Sequence, residues 1–146
     1  MKTTHYLLIV ILISLSNISS GQTITPDAIV KIEMHLSAFG VESDDFPSID
    51  GEIDFLKQSS HFRKWFYNPA YKDSTYSLTK EEMQKILTLL TTSHMEELKK
   101  EYRKTATDQS STKMLIYTKN KFFTFNDYGL IGSHPLGEIY KIVYKL

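Results

Sequence analysis

The sequence predicts an α+β domain in which an antiparallel sheet of about five strands carries two or three helices packed on one face. Three observations predict it. Runs of alternating apolar and polar residues lie on either side of a central segment, and a period of two marks a strand with one buried face. The central segment and the end of the chain instead show apolar residues at spacings of three and four, the pattern of a helix with one buried side. Elements that each have one apolar face bury them together when helices lie on one side of a sheet.

At the start of the chain, Lys2 and His5 precede the apolar run Leu7 to Ile13, and the sequence turns polar from Ser14 to Gly21. This is the three-part layout of a secretory signal peptide, with an apolar run well short of the roughly 20 residues that cross a bilayer. Residues 1–21 are therefore expected to be cleaved, Ser19 and Gly21 being the small residues before the cut. An uncleaved anchor is the competing reading. Cleavage leaves residues 22–146 as a single α+β domain, secreted or periplasmic, with no membrane span. The chain has no cysteine, so the core alone must hold the fold in an oxidising compartment.

The first alternating run places Val30, Ile32, Met34, Leu36 and Ala38 on one side and Lys31, Glu33, His35 and Ser37 on the other. After Gly40, an acidic stretch and Pro47, a second run alternates Ile49, Gly51, Ile53 and Phe55 with Asp50, Glu52 and Asp54. Ser59 and Ser60 mark a turn into a third strand, His61 to Tyr67, hairpin-paired with the second. Thr79 with Glu82 three residues later has the form of a capping box, and Met83, Ile86, Leu87 and Leu90 continue as a helical stripe. Ser93 with Glu96 repeats that signature, so a second helix with Met95, Leu98 and Tyr102 is expected. Residues 105–112 read as a loop. Met114 to Thr118 and Phe122 to Phe125 read as a hairpin joined through Lys119, Asn120 and Lys121. Ser133 and Pro135 open a last helix with Leu136, Ile139, Tyr140, Val143 and Leu146 on one face.

This order of elements resembles a family of small exported bacterial domains of unknown function, the one numbered 6438 among such domains. The matching pieces are Phe39 and Gly40, Asp50 and Gly51, the helix from Thr79, and the ending Phe123, Phe125, Asp127, Tyr128 and Leu136 to Leu146. The likeness spans residues 29–146. The two turn cysteines of that family are missing, Ala38 and Ser43 standing nearest to their places. The resemblance implies an exported α+β domain and supplies no site.

Charge is balanced overall but not along the chain. Residues 22–56 hold eight acidic residues and one cation, Lys31, whereas residues 57–146 hold fifteen Lys and Arg against nine Asp and Glu. Near-neutrality argues against nucleic acid as a partner. The asymmetry is expected to cancel by the acidic strands lying beside the basic part, in preference to a dipolar surface built for a charged partner.

No motif fixes a reaction. No serine sits in a Gly-x-Ser-x-Gly elbow, and His35 and His61 occupy polar positions of alternating strands, so solvated histidines are preferred to a catalytic or metal pair. The carboxylates Glu42, Asp44, Asp45, Asp50, Glu52 and Asp54 are oxygen ligands of the calcium type, but their spacing fits no EF-hand loop, and a solvated acidic turn blunting an edge strand is preferred. No metal, cofactor or catalytic residue is therefore expected.

The unusual patch is the segment from Phe62 to Lys72, in which half of the aromatic residues must face away from any single core, which leaves Trp65, Tyr67 and Tyr71 partly exposed beside cations such as Arg63. Exposed rings beside cations suit stacking on a sugar or anchoring a protein; burial of that strand on both faces is the opposing reading. The function expected is binding of an envelope protein or glycan through Trp65, Tyr67, Tyr71 and Arg63. The alternative is a small hydrolase, which requires His35 or His61 to share a cleft with Asp50 or Asp54.

Overall fold

The computed structural model describes residues 29–41 and 45–145; the expected signal peptide and its cleavage site lie outside them, as do Glu42, Ser43, Asp44 and Leu146. Within the described residues the elements are β1 (Ile29–Ser37), β2 (Ser48–Asp54), β3 (Ser59–Trp65), β4 (Ser74–Tyr76), α1 (Lys80–Thr91), β5 (Glu101–Arg103), β6 (Ser111–Thr118), β7 (Phe122–Tyr128) and α2 (Leu136–Tyr144). The strands form one sheet in the order β4-β3-β2-β1-β6-β7-β5. Every pairing is antiparallel except β5 with β7, which is parallel.

The α+β reading holds. The sheet has seven strands rather than about five because a three-residue strand is added at each edge. The first four strands form a meander, α1 carries the chain across the sheet, and β6 then inserts beside β1. That makes β1 the central strand.

The alternation in sequence becomes two chemically different faces. Ile32, Met34 and Leu36 of β1, Ile49 and Ile53 of β2, Phe62 of β3, Met114 and Ile116 of β6 and Phe125 of β7 are buried in one core with both helices. Helix α1 contributes Met83, Ile86 and Leu90, with Leu87 packed at the margin. Its start is the capping box the sequence predicts: Thr79 Oγ1 accepts from Glu82 N at 3.1 Å, and Glu82 Oε2 accepts from Thr79 N at 2.8 Å. Helix α2 inserts Leu136, Ile139, Tyr140, Val143 and Tyr144. It begins after a cis peptide bond between His134 and Pro135.

The second expected helix does not form. The hydroxyl of Ser93 donates back to Leu89 O at 2.7 Å, so it satisfies the end of α1 instead of capping a new helix. The chain then turns, buries Met95 and pairs as β5, where Tyr102 lies opposite Asp127. At the other edge, β4 is fixed by Tyr76, whose ring stacks on Phe62 at 5.3 Å and whose hydroxyl donates to Val143 O at 2.6 Å. Burial raises the Tyr76 phenol to about 12.

Gly51 lies between Met34 of β1 and Phe62 of β3. A side-chain carbon there would overlap the Phe62 ring and the His61 carbonyl, so the buried phenylalanine depends on its neighbour being glycine. We expect Gly51→Ala to destabilise the domain by about 3 kcal/mol, since the overlap is with backbone and ring together; urea denaturation measures it.

Backbone hydrogen bonding at Thr79 holds the Glu82 carboxyl below its ordinary value of 4.5. A carboxyl with a lowered folded pKa stabilises above its unfolded value, and that contribution is lost as pH falls through the folded one. Glu82→Gln keeps an oxygen for Thr79 N but loses the charge at the helix start and toward Lys145. It is therefore expected to cost roughly 0.5 kcal/mol at pH 7, with the gap from wild type closing as denaturation curves are taken below the ordinary carboxyl range.

Candidate functional site on the open sheet face

The helices cover one face of the sheet, and the other presents the polar half of each alternating strand. Register places these side chains in rows. One row runs Arg63, Asp50, His35, Lys113 and Asn126 across β3, β2, β1, β6 and β7. The next runs His61, Glu52, Glu33, Leu115 and Thr124.

Asp50 is the junction of the predicted residues. One carboxylate oxygen accepts the Trp65 Nε1 proton at 3.0 Å, and the other is in contact with His35 Nδ1. Trp65 is half-buried, and its ring meets Tyr67 edge-on with centroids 5.1 Å apart at 66°. Tyr67 is 58% exposed and Tyr71 42% exposed. Tyr71 packs its ring 5.0 Å from Phe66 and donates its hydroxyl to Asp45. Arg63 Nη2 donates to Asp73 Oδ2 at 2.6 Å, both side chains being at least half exposed. The patch of Trp65, Tyr67, Tyr71 and Arg63 therefore lies neither on the helix-covered face nor in a two-sided core. Strand β3 ends at Trp65 rather than Tyr67, which frees Tyr67 to fold back against the indole.

The histidines separate. His35 stands opposite Asp50 and His61 opposite Glu52, on strands with β2 between them. Only His35 reaches Asp50, and Asp54 is engaged by Lys57 at 2.9 Å. Among the described residues no serine or threonine hydroxyl bonds the His35 ring; Thr112 donates instead to the His35 carbonyl at 3.0 Å.

The acidic face is internally compensated. Lys31 Nζ lies 2.8 Å from Glu33 and 2.7 Å from Glu52, and Tyr117 donates to Glu33 at 2.8 Å. These contacts, Lys31 first, hold the Glu33 carboxyl below its ordinary range, while the two carboxylates push the Lys31 ammonium up. Among the described residues no group of three or more acidic or histidine side chains could hold a metal ion. The run that resembled a solvated edge turn is corrected in part: Asp50, Glu52 and Asp54 lie along an interior strand, each with its own partner.

A cavity of about 630 Å³ lies on another side, between the β2–β3 turn and the first half of α1, lined by Phe55, Met83 and Leu87 among others. Trp65, Tyr67, Tyr71, Arg63 and His35 do not line it. Among the described residues no helix is long and apolar enough to cross a membrane.

No family model matches the chain, and comparison with curated proteins finds no match.

Trp65 is the single tryptophan of the chain, so its fluorescence reports this site alone. Asp50→Ala is expected to shift Trp65 emission to longer wavelength and increase its quenching by acrylamide, because the indole loses the acceptor that holds it. His35→Ala, which leaves that bond in place, is expected to change neither.

Proposed function

We propose that the protein is an exported binding domain that holds an envelope glycan on the open face of its sheet. The observation that carries this is the aromatic pair at the end of β3, the half-buried Trp65 and the exposed Tyr67, bordered by Asp50, Arg63 and Asp73. A sugar ring presents apolar C–H faces and hydroxyl edges at once, so it is matched by rings for stacking beside carboxylate and guanidinium groups for its hydroxyls. A protein hot spot instead favours a desolvated centre sealed from water. Here the border is charged and about half exposed or more, which favours the sugar over the protein partner.

The contact of His35 with Asp50 favours a second reading, hydrolysis, because a carboxylate can orient an imidazole for proton transfer. Asp50 also holds Trp65, however, and both members of the pair are about half exposed, so neither has the desolvated setting that tunes a catalytic acid or base. Binding is the reading this arrangement supports better.

The test is a titration of residues 22–146 with a panel of envelope-type oligosaccharides, followed by Trp65 fluorescence and calorimetry. We expect saturable binding that Tyr67→Ala weakens about tenfold, or about 1.4 kcal/mol, without loss of thermal stability. Absence of any saturable ligand, or binding indifferent to Tyr67 and Trp65, contradicts the reading. Shortened glycans in the product mixture, lost in His35→Ala, would establish hydrolysis instead.

A further inference from the structure

We infer that the same sheet face carries an anion-binding subsite next to the aromatic one, so that the saccharide it takes is acidic. This rests on the glycan reading above and deepens it. Beyond His35, the row of polar side chains continues through Lys113 and Asn126 to Glu101 at the edge strand. One row along, Ser37 stands opposite Ser111, Ser111 opposite Tyr128, and Tyr128 opposite Arg103. Together these rows line a concavity of about 550 Å³.

Its charge is what distinguishes it from the rest of the face. Around Asp50 and Glu33 each carboxylate has a partner, whereas among the described residues no carboxylate pairs with Lys113 or Arg103. The nearest acidic neighbours do not alter this. Asp127 points into the core, where its two oxygens accept from Ile131 N at 3.0 Å and Gly132 N at 2.6 Å. Among the described residues lining the concavity, Glu101 is the carboxylate on the rim beside Lys113 and Arg103, Asp127 being turned to the core.

The cations are also arranged for use. The Arg103 guanidinium lies over the Tyr128 ring at 5.1 Å, a stacking that steadies the group while leaving the N–H edge for a carboxylate. Lys113 supplies a second charge between His35 and Asn126. The hydroxyl of Ser37 accepts from Phe39 N at 3.1 Å and so retains its own proton to donate.

The aromatic and cationic subsites share one face. Trp65 lies opposite Ser48 on β2, in the neighbouring row to Arg63 and Asp50. Between Trp65 on β3 and Lys113 on β6 there are three strand spacings, about 14 Å at ~4.8 Å each. An oligosaccharide stacked on the rings at one end therefore carries the carboxylate of a residue several units along over Lys113, with Arg103 on β5 two strand spacings further on.

The test compares two polyuronates of different linkage, oligogalacturonate and oligomannuronate, each as the free acid and as its neutral methyl ester, by Trp65 fluorescence and calorimetry on residues 22–146 at low salt. Expected is at least tenfold tighter binding of an acid form than of its ester. The double variant Lys113→Gln, Arg103→Gln should bring the acid down to the affinity of the ester and leave ester binding unchanged. Both side chains are exposed, so the fold is expected to survive. Equal affinity for acid and ester, or an acid preference that survives the double variant, overturns the anionic subsite while the glycan reading stands. Binding of none of the four probes overturns the subsite as well, and the panel titration then decides the glycan reading independently.

Discussion

The whole arrangement depends on β1 being paired along both edges. Because β2 and β6 both take their register from it, the side to which Ile32, Met34 and Leu36 point becomes the core side of the entire sheet. A slip of one residue in either pairing would turn that strand's apolar set to water. The open face inherits its order from the same constraint. Asp50, His35 and Lys113 are 15 to 78 residues apart in sequence, yet they stand side by side because the register of the buried side chains leaves them no other place.

The parts of the fold that are legible in sequence are those where local pattern and tertiary burial agree. The alternations of β1, β2, β6 and β7, the Thr79 capping box and the stripe of α2 each carry their own signal. The elements that escape are held by their surroundings. Strands β4 and β5 are three residues long and exist because Tyr76 reaches Val143 and because the backbone around Tyr102 pairs with β7. The Ser93–Glu96 spacing carried a capping signature, but a hydroxyl four residues after Leu89 has a nearer acceptor in the last turn of α1, and local proximity prevailed.

The site divides in the same way. Alternation shows that Arg63 and Trp65 point away from the core, and that His35 and Asp50 occupy polar positions. It does not show which strands are neighbours, so the junction at Asp50 required the register. The charge asymmetry is likewise resolved in part locally. Lys31, the cation of the acidic segment, is shared between Glu33 and Glu52, Asp54 is met across a tight turn by Lys57, and a tyrosine rather than a lysine completes Glu33. The acidic strands do lie beside the basic part, β2 against β3 and β1 against β6, but their ion pairs are mostly local, so among the described residues Lys113 and Arg103 keep no carboxylate partner.

That local compensation has a consequence for where binding energy can come from. A carboxylate already held by an ammonium and a phenol offers a ligand little, since any new bond must replace one that exists. The groups with capacity to spare lie at the two ends of the face: the rings beyond Trp65 and the cations beyond His35. Trp65 and Arg103 sit on strands, fixed by Asp50 and by Tyr128, while Tyr67 and Tyr71 lie in the connection to β4, where their rings meet Trp65 and Phe66. On the proposed reading, the saturated middle would serve as a polar floor and the two ends would set what chemistry a bound molecule brings.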